Sequence, residues 1–438
     1  MFVKSFILSL LLVPSSFGLE TSGLRGDRKS NNTSCNAYPI QKDGSIYIMT
    51  NEPHNEILLY SRSESSGRLV FEGSFSTNGS GGQLSGGPLP APTDDPLGSQ
   101  DSLIVAGSCL LAANAGSNDI SSFRIIDSES IEFVEKVPSG GNYPVSLTHR
   151  DGLVYSLNAG LDGDGGNPGS IQGFQLLGYS CKLKAIGDSI SLDQSTSSGD
   201  AAAPIFPASP AQIGFSPEGN IILTIKSNGG NNEFPSRGSI NMYSIDKETG
   251  MVDGLTRTFV EGNIPFSFDF DEEGNFLLVE AFGSSPVGSP NAGRVTMYKN
   301  INSAPSLVQA GDTGQTTSCW NRYNTRNSCA YTTNNGGSSI TSFRVTNGSL
   351  ELVEKEAASL DVPIDFSFSP DQNFLYAVAT GHVSGDPEAS QPAIYVYKIK
   401  CNCRLTKVQR VIDGIPNEAD REINANGVAN GIVGLAVY

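Results

Sequence analysis

Seven times along the chain, at intervals of roughly 50 residues, a short apolar run carries an aromatic in the same position. The runs are EILLY, ISSFRI, IQGFQL, INMYSI, VTMYKN, ITSFRV and IYVYKI, which align Tyr60, Phe123, Phe174, Tyr243, Tyr298, Phe343 and Tyr397. Each aromatic run follows a second apolar segment, such as CLLAANAG, GLVYSLNAG, NFLLVEAFG or NFLYAVATG, across a Gly-rich connection. A third kind opens on proline or a small polar residue, as in YPVSLTH, SPAQIGF, IPFSFDF and VPIDFSF. Short runs at this density are strand signals, and no stretch shows helical period. Seven units of about four strands predict an all-β, seven-bladed β-propeller. The first unit, from Ser45, lacks an innermost strand, while the chain ends on the orphan run GIVGLAVY, Gly431 to Tyr438. That run is expected to complete the first blade and close the ring.

Composition narrows the function. With 45 Asp+Glu against 28 Lys+Arg, the net charge of −17 argues against nucleic-acid binding, which needs basic residues in excess. Lys4, the apolar run Phe6 to Val13 and the small residues Ser15, Ser16 and Gly18 read as a secretory signal peptide over 1–18. A flexible segment over 19–44 and the propeller over 45–438 are expected to follow, with no run long enough to span a membrane. Asn31, Asn32, Asn78 and Asn347 each open an Asn-x-Ser/Thr triplet, in keeping with a secreted glycoprotein. The seven cysteines leave at least one thiol unpaired within the chain. Cys35 precedes the first strand, and Cys401 and Cys403 lie in the outer hairpin of the last blade. Ring closure makes those blades neighbours, so a bridge from Cys35 to one of the two is expected.

Loop lengths are unequal. The long insertions, 77–97, 161–170, 191–209, 227–238, 283–293, 381–392 and 413–430, all precede an innermost strand or follow a second strand, which places them on one face, the upper face. Turns on the opposite face stay short, as in HRDG, SPEGN, DEEGN and SPDQN. A small-molecule or carbohydrate site is therefore expected at the upper mouth of the channel. The innermost strands begin there with Gln100, Ser146, Gln212, Ser267, Trp320 and Asp365, a ring of hydrogen-bonding groups with the only tryptophan, which could stack on a sugar. Lys226 and Glu280 stand one blade apart at equivalent positions and are candidates for an acid/base pair, or for an ion pair knitting two blades. His382 and His54 lie in upper-face loops. Asp162-Gly-Asp164-Gly-Gly has half the ligands of a calcium loop, so calcium is a weak candidate and no other cofactor is expected.

Several blocks carry a resemblance: LGSQ at 97–100, NAGSNDISSFRI at 114–125, SGGNYPVSL at 139–147, PAQIGFSPEG at 210–219, VEAFG at 279–283, TGQTTSCW at 313–320 and TTNNGGSSITSFRV at 332–345. Over residues 45 to 438 the chain resembles the lactonase family of seven-bladed propellers, which includes 6-phosphogluconolactonase and carboxymuconate-lactonizing enzymes, and within it the secreted branch. The resemblance implies lactonase or cycloisomerase-like activity on a small carboxylated or sugar-derived substrate. Where members with lactone chemistry carry Pro-His-x-His before an inner strand, this chain reads Ser209-Pro210-Ala211-Gln212. An arginine expected at a following inner strand is replaced by Phe266 or Ile364, while Glu280 falls within a residue of the family's acidic position. The alternative reading is a non-catalytic module for carbohydrate or an extracellular protein partner.

Overall fold

The computed structural model describes residues 43–84, 95–160, 169–192, 206, 209–227, 237–303, 305–381, 391–416 and 431–438. Among the described residues there are twenty-eight strands, β1 to β28 in chain order, one 3-10 turn at Gly178–Ser180, and no α-helix. The strands form seven four-stranded antiparallel sheets. Blade 1 runs outward from the axis as β28 (Val433–Val437), β1 (Gly44–Met49), β2 (Glu56–Arg62) and β3 (Leu69–Ser76), and each later blade uses four consecutive strands. The expected closure is present: Ile46 pairs with Val437, Tyr47 with Ala436 and Ile48 with Leu435.

The seven aligned aromatics occupy the third strand of each blade, and all seven are buried, none more than 4% exposed. Each removes on the order of 150–250 Å² from water, so the repeat that marks the sequence is also the packing between blades.

The other innermost strands are β4 (Leu103–Ala106), β8 (Pro144–Arg150), β12 (Pro210–Phe215), β16 (Pro265–Phe270), β20 (Ser318–Asn324) and β24 (Pro363–Phe368). Five of them, β8, β12, β16, β20 and β24, break register with their neighbour just inside the upper face. Four of these follow a non-glycine residue in the left-handed region: Tyr143, Ile264, Thr317 and Val362. For the β-branched Ile264, Thr317 and Val362 that backbone is sterically costly. A bulge of this kind bends a strand end and re-aims its side chains, and here it decides which residues point at the axis.

The cysteines pair as Cys109–Cys181 and Cys329–Cys403, and Cys319 is a buried free thiol. Cys403 is therefore not the partner of Cys35. It is held by Cys329 of β21 (Cys329–Asn334), which ties blade 6 to blade 7. Cys401 is also disulfide-bonded, while Cys35 lies outside the described residues.

Candidate functional site

The upper end of the channel is built from the bulged starts of the innermost strands. Three successive residues ahead of β4 meet three successive residues of β20 across the axis. Trp320 Nε1 donates to the Ser99 carbonyl at 3.0 Å. Gln100 and Asn321 exchange two bonds, Gln100 Nε2 to the Asn321 carbonyl and Asn321 N to Gln100 Oε1, both at 3.2 Å. Arg322 forms an ion pair with Asp101. This ladder joins blade 2 to blade 6.

Other channel residues attach to its lowest rung. Gln212 donates to Asp101 at 3.0 Å and accepts from Phe268 N at 2.6 Å. Asp365 accepts from Phe366 N at 2.8 Å and from Leu435 N of the closing strand at 2.9 Å. Asp269 accepts from Phe270 N and Tyr323 N, both at 2.8 Å. Burial pushes the Asp365 carboxyl up to about 8 and raises Asp269, with Arg322 opposing both. Burial also works against the Arg322 charge, but Asp101, Asp365 and Asp269 outweigh it and hold the guanidinium ionised.

The expected ring of ligand groups is thus brought together, and each of Gln100, Ser146, Gln212, Ser267, Trp320 and Asp365 is already bonded to another protein group. Ser146 and Ser267 are fully buried and donate to the Gln100 and Cys319 carbonyls of neighbouring blades. Trp320 presents no exposed face: it is 0% exposed, with its ring edge-on to Phe266 at 5.0 Å. The sequence pattern missed Asp101, Asn321 and Arg322. Asp101 directly follows LGSQ and Arg322 follows TSCW by one residue, so proximity to those blocks was the available signal.

Lys226 and Glu280 are both fully buried and engage different partners. Glu280 ends β17 (Phe276–Glu280) and forms an ion pair with Arg294, its cross-strand neighbour on β18 (Arg294–Lys299). Its Oε1 accepts from Gly262 N at 3.0 Å, where a side chain in place of glycine would collide with the carboxylate. Burial raises the Glu280 carboxyl, and Arg294 opposes the shift. The pair lies within blade 5 and does not bridge to Lys226.

Lys226 directly follows β13 (Ile221–Ile225). Its Nζ donates to Ser209 Oγ at 2.8 Å and to the Phe206 carbonyl at 3.2 Å. The Phe206 and Phe266 ring centroids stand 4.3 and 5.3 Å away, so the ammonium is enclosed by aromatic faces. Burial lowers its pKa to about 7, against the opposing charge of Asp95. Gly98, at φ +56°, brings backbone close to the amine: an added Cβ would stand 2.7 Å from Nζ. Nearby Cys319 is pushed well above the usual thiol range by burial, which makes it an inert thiol.

His382, Asp162 and Asp164 lie outside the described residues. Among the described residues, no group of three His, Cys, Asp or Glu side chains could hold a metal ion. His54 is exposed, and His149 is half-buried at the lower end of β8.

No curated protein matches the sequence. The fold is similar to that of a Bacteroides uniformis protein provisionally named a 6-phosphogluconolactonase, at TM-score 0.62 and 17% identity over 86% of this chain and 98% of that one. A Lactobacillus plantarum protein gives 0.61 and 16% over 91% and 100%. Pseudomonas aeruginosa periplasmic gluconolactonase gives 0.58 and 15% over 86% and 98%. At these identities the likeness is one of fold. Two consecutive stretches, residues 169–288 and 289–382, which include blades 4 to 6, match the family model for lactonases with a seven-bladed β-propeller, so over those blades the chain is similar to that family.

Proposed function

We propose that the protein hydrolyses the ring ester of a small sugar-derived or carboxylated lactone at the upper channel mouth, and that it does so outside the cell. Lys226 carries this reading: its amine is enclosed at the upper end of blade 4, within the stretch that matches the family, beside Ser209 and two aromatic rings, with a pKa brought to about 7 by burial. Ring opening adds water across an ester. It needs a base to take a proton and an acid to return one to the leaving oxygen, and an amine poised near neutrality can do both. The gluconolactonase name of the Pseudomonas aeruginosa neighbour makes aldonolactones the first substrates to test. The two disulfides fit an oxidising compartment. No helix among the described residues is long and apolar enough to cross a membrane.

The test is a panel of aldonolactones and carboxylated lactones followed by acid release. Hydrolysis should rise with pH toward a plateau above about 7, as Lys226 loses its proton. Lys226→Met should cost roughly 10²- to 10⁴-fold in kcat/KM, and failure to open any lactone overturns the reading. Glycan binding without turnover would instead favour a non-catalytic carbohydrate module.

A further inference from the structure

Pro210 of β12 pairs with Ile225 of β13. The next residues outward, Ser209 and Lys226, are therefore cross-strand neighbours at the upper end of blade 4, and their side chains meet at 2.8 Å. The geometry points to Ser209 Oγ as an acyl-accepting nucleophile and Lys226 Nζ as its base, a serine–lysine dyad that opens the lactone through a covalent ester. The inference rests on the lactonase reading and gives it a chemical course.

Four features support the dyad. Nζ and Oγ are within proton-transfer distance at 2.8 Å, and the hydroxyl, which donates to the Phe206 carbonyl at 3.0 Å, must turn from it to pass its proton to neutral Lys226. Both side chains are fully buried, so neither hydrogen bonds to bulk water in place of its partner. The lysine amine has been brought to about 7 by that burial, so its neutral form is populated at neutral pH. Asp95, whose Oδ1 is held by Gly98 N at 2.8 Å, lies close enough to stabilise the ammonium once it has taken a proton.

The steps balance without a cofactor. Neutral Lys226 takes the Ser209 hydroxyl proton as Oγ bonds to the lactone carbonyl carbon. The ring C–O bond then breaks, and the released alkoxide takes that proton back from Lys226, leaving an ester on Ser209 and a free hydroxyl on the opened chain. Lys226 next takes a proton from water as the hydroxide adds to the acyl carbon, and returns it to Oγ as the ester breaks. The sum is lactone plus water to hydroxy acid. Phe206 covers Nζ, so an incoming carbonyl must displace that ring.

A fluorophosphonate probe, read by intact mass and peptide mapping, tests the dyad without a known substrate. One adduct on Ser209 is expected, forming faster as pH rises through about 7. Ser209→Ala should abolish it, and Lys226→Met should slow it at least 100-fold while the chain stays folded. Lys226→Met swaps a buried charge for an apolar chain of similar length, and it keeps the test open should Ser209→Ala fail to fold. An unlabelled native protein, or an adduct elsewhere, overturns the dyad. Lactone hydrolysis that survives Ser209→Ala also overturns it and leaves the lactonase reading intact. Labelled Ser209 in a protein that opens no lactone overturns the substrate assignment and leaves the dyad standing.

Discussion

Trp320 Nε1 lies 3.0 Å from the carbonyl oxygen of Ser99, and the two residues belong to blades 6 and 2, which are not neighbours in the ring. Trp320→Phe keeps most of the packing and orphans a buried carbonyl, a loss of about 1–3 kcal/mol. Trp320→Ala also empties the space against Phe266 and should cost about 3–5 kcal/mol. Urea unfolding followed by far-ultraviolet circular dichroism reads both. A Trp320→Ala protein as stable as the parent would mean that the cross-channel rung does not hold the ring.

The Asp365 carboxyl has a folded-state pKa of about 8 against 3.8 as its ordinary value. Between those values the folded chain holds the proton more tightly than the unfolded chain. Its stabilising contribution is complete below about pH 4 and is lost as pH rises toward 8. The parent should therefore unfold at lower urea at pH 8 than at pH 5. Asp365→Asn, which does not titrate, should show a shallower dependence over that window, and equal slopes would remove Asp365 as the cause.

Glu280 and Arg294 form a pair within one blade, with Glu280 fully buried and the Arg294 side chain 11% exposed. Glu280→Gln leaves the guanidinium without its counter-charge and should destabilise by on the order of 3 kcal/mol. Adding Arg294→Met should restore much of that loss, a coupling that a double-mutant cycle measures. A Glu280→Gln protein of parental stability but without lactone turnover would instead place Glu280 in the chemistry.

The Cys109–Cys181 and Cys329–Cys403 bridges close segments of 72 and 74 residues. Chain-entropy arguments give about 4 kcal/mol for loops of that length. Replacing both Cys329 and Cys403 by alanine should lower stability by roughly 2–4 kcal/mol. Non-reducing peptide mapping should recover both bridges, leave Cys319 unmodified until the chain is unfolded, and join Cys401 to Cys35. A Cys35 peptide found free would contradict the last pairing.

The ring itself was legible because its signal is local and periodic. Tyr60, Phe123 and the five aromatics aligned with them recur on equivalent strands and are buried in the same way, and the orphan run at 431–438 had one blade left to complete. The site was legible only as a region. Gln100, Gln212 and Asp365 stand at or just ahead of the starts of innermost strands, but their partners Asn321, Asp101 and Leu435 come from other blades, and nothing in a linear sequence marks positions 221 residues apart as facing each other. The bulges compound this, because skipping a residue at the start of β20 changes which of Cys319, Trp320 and Asn321 turns inward. Ser209 went unnoticed because a serine before a proline is an ordinary turn residue. Its meaning appears only once the Pro210–Ile225 register sets it beside Lys226.

Blade 1 takes its innermost strand from residues 433–437 and its second from 44–49. During synthesis the first blade therefore stays unfinished until twenty-seven other strands exist, and β1 must wait with one edge unpaired. A chain crossing a membrane as it is made would carry that open edge through the whole of translocation. It would need either a chaperone that shields strand edges or transit faster than the edge finds another partner, and the ring would close only after β28 had emerged on the far side.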